Sequence, residues 1–157
     1  MIFFPIPQGR GNSIEVQLSN DSILSSLLSL PQDENECALA ARYAPVLLFD
    51  AREPFLPLAA GYTLFRQSGP SPSFRQGFGV DLAPQGQPPA RLAIEYAIWW
   101  DWDIGHLYEL EHVWVYVDDG GRVVRCEASW HGGHHDMRHE GRLALDGDHV
   151  MVFSEPG

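Results

Sequence analysis

Residues 96–135 read YAIWWDWDIGHLYELEHVWVYVDDGGRVVRCEASWHGGHH, and the fold is decided there. Leu110 to Val117 has the period of a strand. Glu111, Val113, Val115 and Val117 fall on one face, and His112, Trp114 and Tyr116 on the other. Asp118-Asp119-Gly120-Gly121 supplies turn chemistry, and an Asp119-Gly120 centre fits a tight primed turn whose two central residues take positive φ. Arg122 to Trp130 returns as a second Val-rich run, so the pair is predicted to be a β-hairpin. That turn sets Val117 opposite Arg122, Val115 opposite Val124, and Trp114 opposite Arg125 in a cation–π pair. The ladder continues to Leu110 opposite Ser129 and Tyr108 opposite His131, which returns His131 to the level of His106 and Glu109. A one-residue slip would reverse every face.

Glu109 and Glu111 share the valine face, their Cβ atoms about 6.6 Å apart along the strand. Two full charges at that distance repel by roughly 2.5 kcal/mol at an effective dielectric near 20. Solvent exposure, protonation of one carboxyl, or a shared cation would each relieve this. A cation also gives a use to Asp101, Asp103 and His106 nearby. An oxygen-rich set with one imidazole suits Ca²⁺ or Mg²⁺ best, with Mn²⁺ and Zn²⁺ as further candidates. The plainer alternative is a solvated strand end, with His112 paired across the strands to Glu127.

Gly105-His106-Leu107-Tyr108-Glu109-Leu110-Glu111 resembles the heptapeptide Gly-His-Arg-His-Asp-Trp-Glu of the necrosis-and-ethylene-inducing-peptide-like cytolysins. His106, Glu109 and Glu111 fill the His, acidic and Glu places at identical spacing. Tyr96-Ala97 and Asp103 are similar to that family's Tyr-Ala strand and metal-binding Asp, and Ala128-Ser129-Trp130-His131-Gly132-Gly133 to its Ser-Ala-His-Gly segment. Arg42-Tyr43-Ala44-Pro45-Val46-Leu47 with Glu53-Pro54-Phe55-Leu56-Pro57 resembles a sister group more closely, the vacuolar-protein-sorting family numbered sixty-two, with its Tyr-Ala-Pro strand and Glu-x-x-x-Pro turn. The resemblance spans roughly residues 42 to 153. It implies a β-sandwich with a divalent cation near Asp103, His106, Glu109 and Glu111, and docking on a sugar or lipid head group. The heptapeptide is departed from where Tyr108 replaces the second His, Glu109 the Asp and Leu110 the Trp. The loop between Asp103 and Gly105 is also shorter, which offers the Asp role to Asp101.

A chain of 157 residues fits one domain, read here as an N-terminal strand and helical segment (1–44) followed by a β-sandwich (45–157). The formal charge of −11 disfavours a nucleic-acid backbone as partner, and none is expected. All ten basic residues are arginine, so Schiff-base lysine chemistry and a P-loop are excluded too. Cys37 and Cys126 are expected as free thiols, Cys126 in the core beside Val113 and Val115. Met1 to Pro7 lacks the features of a signal peptide, and no run has the length of a membrane helix, which gives a cytoplasmic expectation.

Along the chain, Ile2–Ile6 and Ile14–Leu18 are predicted strands, and a helix runs from Asp21 towards Pro31. A second helix, Asp33 to Arg42, carries a capping box of Asp33 and Glu36. Strands follow at Val46–Phe49, Tyr62–Arg66 and Arg91–Asp101, with a Pro- and Gly-rich loop at 67–90 anchored by Phe74, Phe78 and Val80. Leu143–Leu145 and His149–Phe153 form a second hairpin around Asp146-Gly147-Asp148. The chain closes at Ser154-Glu155-Pro156-Gly157, short of further strands in the sister group. A C-terminally truncated sandwich with an open edge, covered by a second copy in a homo-oligomer, is the expectation.

His131, His134, His135 and His139 form a rival site, since His135 and His139 would share one helical face as in zinc proteases. Asp136, however, stands where the catalytic Glu belongs. Glu127, Ser129 and His131 share strand parity, but no nucleophile elbow accompanies them. Three functions follow. The first is a cation-holding binding protein for a polar ligand. The second is a metal-dependent hydrolase using His106, Glu109, Glu111 and His131, with His131 or Glu109 moving protons. The third is a structural or oligomeric module without metal.

Overall fold

Leu92 to Val117 is long enough, and apolar enough at alternate positions, to fold back on itself as two twelve-residue strands. The computed structural model describes residues 2–5, 33–51, 53–103, 106–130 and 132–154. The predicted strand at 14–18 and the helix after Asp21 lie outside them. The elements in chain order are β1 (Ile2–Pro5), α1 (Glu34–Arg42), β2 (Val46–Phe49), β3 (Ala59–Phe65), β4 (Gly69–Pro70) and β5 (Gly79–Val80). They continue with β6 (Leu92–Asp103), β7 (His106–Val117), β8 (Val123–Trp130), β9 (Gly133–Asp136), β10 (Leu145–Asp146) and β11 (His149–Ser154).

Six strands form the main sheet in the order β1-β3-β6-β7-β8-β9, each neighbour antiparallel. A smaller sheet, β10-β11-β2, lies across one of its faces. Ile94, Tyr96, Val113, Val115 and Cys126 from the large sheet bury against Val150 and Val152 of β11 and Leu47 of β2. Each such side chain stabilises the sandwich by about 1.5–3 kcal/mol when fully buried. The fold is thus mainly β with one short helix among the described residues. One pair, β2 with β11, runs parallel. A parallel pair needs a long crossover, and here almost the whole domain provides it.

Helix α1 starts where the Asp33 carboxylate accepts the N–H groups of Asn35 and Glu36. It stops at Tyr43 because Pro45 forces Ala44 out of helical conformation. Its buried side is fastened by the Tyr96 hydroxyl, which donates to the Ala40 carbonyl at 2.6 Å. The opposite face of the large sheet carries Ala93, Glu95, Trp114 and Tyr116. The 66–90 segment covers it, laying Phe74, Phe78, Val80 and Leu82 across them. Of the expected anchors of that loop, Val80 is buried in the core and Phe74 and Phe78 are half-buried against it, and β4 and β5 pair within it.

The β7–β8 turn differs from its predicted form. Gly121 N–H donates to the Asp118 carbonyl at 3.1 Å and Gly121 takes φ 76°, a three-residue loop ending in a left-handed glycine. Asp118 favours it, because its carboxylate accepts the N–H groups of Gly120 and Arg122 and ion-pairs with the Arg122 guanidinium. These contacts hold the Asp118 carboxyl below the usual carboxylate range. A further irregularity follows between Tyr116 and Val117, so the ladder pairs Val117 with Val123, Tyr116 with Arg125, Val115 with Cys126 and Trp114 with Glu127. Arg125 consequently stacks on Tyr116 at 3.8 Å and not on Trp114. Glu127 accepts from the Tyr116 hydroxyl at 2.8 Å and is no partner of His112. Two one-residue shifts in the same direction leave the faces unchanged, which is why Cys126 sits in the core as expected.

Gly121→Ala would force a side chain into left-handed backbone with its Cβ 3.3 Å from the Tyr43 hydroxyl. A loss of about 1–2 kcal/mol is expected, measured as a lower urea midpoint with an unchanged slope.

Candidate functional site

The polar residues that matter lie where the two sheets diverge. The β7–β8 ladder ends at Val113–Ala128, and beyond it the Ser129 hydroxyl accepts the His112 N–H at 2.7 Å in place of a main-chain carbonyl. The same hydroxyl donates to the Glu111 carboxylate. The strands have begun to separate there, and a cleft of about 350 Å³ opens between the sheets.

Register fixes what faces the cleft from the large sheet. Trp100 lies opposite Glu109 and Ile98 opposite Glu111, so an indole and two carboxylates are direct cross-strand neighbours. Trp130 and Ser129 border it from β8, and His135, opposite Ala128, from β9. Leu47, Phe49, Val152 and Phe153 of the small sheet form the other wall, and Glu53 joins them from the segment after β2. Phe49 meets Trp100 edge-on at 6.4 Å. Trp130 and Phe153 stay 41 % and 52 % exposed, an apolar rim around an acidic interior.

Glu109 and Glu111 thus share a face and a cleft, as their spacing predicts. Asp101 is exposed and does not line it. Asp103 and His106 are cross-strand partners at the end of the β6–β7 hairpin, their side chains outside the described set. His131 lies outside the described residues. Among the described residues no three His, Cys, Asp or Glu side chains are grouped so as to hold a metal ion. The expected five-residue ligand set is therefore represented by its two glutamates.

The histidine-rich segment is not a helix. Gly133–Asp136 is a strand, so successive residues alternate. His135 borders the cleft, while the ring of His134 packs on Phe78 at 5.0 Å on the other side of the sheet. His139 lies in a tight turn bridged to Arg142. The Gly132-Gly133 pair favours extended chain over helix, and the zinc-protease arrangement of His135 and His139 does not form.

No family model, curated protein or solved structure matches this chain.

A second polar group, not foreseen from the sequence, lies on the side of the sheet that the 66–90 segment covers as a strap. Glu95 is fully buried and accepts from Trp114 Nε1 at 2.8 Å and from the Ser73 hydroxyl at 2.7 Å. Ser73 Oγ also lies 2.9 Å from His112 Nε2. Since the hydroxyl proton goes to Glu95, Nε2 carries a hydrogen and donates to Ser73, leaving Nδ1 bare. Nδ1 is buried without a hydrogen-bond partner among the described residues. Serine here lies between the acid and the imidazole. In a nucleophilic triad the imidazole lies between the other two, so this network is an anchor for the strap. The only sequence signal was a Glu at the centre of an apolar strand.

Burial lowers the His112 pKa, partly offset by the charge of Glu95 and the bond with Ser73. The unfolded ring titrates near 6.5, so the unfolded chain binds the proton first as pH falls. Stability from this group is complete above about pH 6.5 and declines as pH drops from there towards the depressed folded value. His112→Gln is expected to flatten the stability profile between pH 7 and 5, read as the difference in urea midpoints between variant and parent.

Proposed function

We propose that this chain is a binding protein whose inter-sheet cleft takes a polar ligand, such as a sugar or a lipid head group, with a divalent cation at its carboxylate end. The observation that carries this reading is the convergence of Glu53, Glu109, Glu111, Ser129 and His135 on one aromatic-walled cleft. Ligand sites combine apolar walls with a few placed polar groups, and this cleft has that composition. The resemblance of residues 105–111 to the cytolysin heptapeptide supports the same end of the cleft, and kinship with that superfamily and its sister group is part of the proposal.

Glu109 and Glu111 would hold the cation, and Ca²⁺ or Mg²⁺ suits their hard oxygens. Water, the ligand's own oxygens or the hairpin end bearing Asp103 and His106 would complete the coordination. When bound, the ion would cancel the mutual repulsion of the carboxylates and draw ligand hydroxyls towards them. Ser129 orients Glu111 through its hydroxyl. Trp100 and Phe49 supply flat apolar surface for the ligand's carbon skeleton.

Calorimetric titration with Ca²⁺ and Mg²⁺ is expected to show one saturable site, lost in Glu111→Gln. At a cation concentration 100-fold above its Kd the folded state gains about 2.7 kcal/mol, visible as a rise in Tm. A Tm that neither chelator nor Ca²⁺, Mg²⁺, Mn²⁺ and Zn²⁺ can move would overturn the cation assignment.

A further inference from the structure

We propose that Ser73, on the face of the sheet opposite the cleft, is a positioning residue for it. By seating the His112 ring it fixes the Ser129 hydroxyl, and through that hydroxyl the Glu111 carboxylate. The inference rests on the reading of the cleft as a cation-assisted ligand site and adds a residue that holds one of its ligands in place.

Hydrogen bonds leave His112 in two directions. Its Nε2–H donates to the Ser73 hydroxyl at 2.9 Å, and Ser73 donates onward to Glu95 at 2.7 Å. Its backbone N–H donates to the Ser129 hydroxyl at 2.7 Å, and Ser129 donates onward to Glu111. Each branch runs from histidine to serine to glutamate, and every proton points away from the histidine. Bonds in such chains polarise one another. Glu95 ends one branch in the buried network, and Glu111 ends the other at the cleft. The ring is enclosed between them, stacked on Trp114 at 5.5 Å and met edge-on by Phe74 at 5.1 Å.

A ring pinned in this way fixes more than itself. Planar peptides leave a strand residue only two soft angles, so the directions of its side chain and its N–H turn together. Position along the strand decides how much this matters. At Val113, paired with Ala128, the ladder to β8 still holds the main chain of β7. At His112 the ladder has ended and a side chain is the acceptor, so the seat of the ring takes over in aiming that N–H. On the other side Ala97 of β6 pairs with His112 and limits any movement to a small roll. Loss of the seat should therefore weaken the cleft without abolishing it. A strap that served only as cover would affect stability alone.

The test measures Ca²⁺ and Mg²⁺ affinity by calorimetry, beside Tm, in the full chain and in Ser73→Ala and Val80→Ala. Val80 is buried in the same strap but belongs to its apolar packing. Both variants are expected to lower Tm. Only Ser73→Ala is expected to weaken the cation, by about fivefold, as couplings through bonded and packed networks do. Amide hydrogen exchange at His112, taken relative to Val115 of the same strand, should quicken about tenfold in Ser73→Ala and keep the parent's ratio in Val80→Ala. Circular dichroism checks the fold of each variant. Should Ser73→Ala not fold, Ser73→Cys replaces it, since a thiol is a weaker partner, with a loss of about twofold to threefold. Unchanged cation affinity in the Ser73 variant, or an equal loss in Val80→Ala, overturns the inference. If the parent itself binds neither ion, the cation reading of the cleft falls, and exchange then decides the positioning role alone: an unchanged ratio of His112 to Val115 in the Ser73 variant overturns it.

Discussion

A carboxylate buried at the centre of a sheet has to be answered by donors, and in this chain Glu95 imposes that demand. The β6 pleat places it beside Trp114, one residue from Tyr96, with solvent excluded on both faces. The Trp114 indole supplies one donor from the neighbouring strand. The second comes from outside the sheet. Ser73 provides it, and so the 66–90 segment must lie down on the sheet. Its aromatic residues then seal the network from water, which strengthens every bond inside it. The hydrophobic cover and the buried polar cluster are consequences of one another.

The opposite face follows a different logic. There the sheet begins apolar, with Val117, Val115 and Val113 in succession, and ends acidic, with Glu111 and Glu109. The small sheet is short, and together with α1 and Tyr43 it covers the apolar part. Where the acidic part begins, β8 leaves the ladder and Ser129 substitutes a hydroxyl for a backbone acceptor. The cleft therefore opens at the point where continued burial would have drawn two carboxylates out of water, at the cost of their desolvation. An open, polar site beside a closed core is the cheapest arrangement for this pattern of residues.

Local signals carried much of this. Asp33 announced its helix and Pro45 its end, because capping and proline sterics act over a few residues. The alternation from Leu92 to Val117 announced both strands and both faces. The three-residue turn was harder to read, since Asp118-Asp119-Gly120-Gly121 is compatible with two loop lengths. The choice rests on Asp118 capping Gly120 and Arg122 and on Gly121 accepting left-handed backbone. Period-two patterning names faces but not partners, so the parallel union of β2 with β11 left no trace, separated as the strands are by almost the whole domain. Ser73 was equally silent: one serine in a Pro- and Gly-rich loop resembles any other until Glu95 is seen beneath it. In the acidic site, Glu109 and Glu111 were legible from spacing alone. Glu53, Phe49 and Phe153 were not, because they reach the cleft from the second sheet.

The two polar groups meet at His112, which divides their work. Its ring faces the strap, stacked on Trp114 and bonded to Ser73, while its backbone N–H holds the Ser129 hydroxyl that orients Glu111. One residue thus ties the strap to the orientation of a cleft carboxylate across the thickness of a single strand. A strand inside a six-stranded sheet is stiff, so the coupling runs through position and requires no large motion. Displacing the His112 ring would shift β7 at the place where its link to β8 passes from the main-chain ladder to the Ser129 hydroxyl. The placement of Glu111 therefore depends on the packing of the strap as much as on its own neighbours, and the buried face serves as the foundation of the open one.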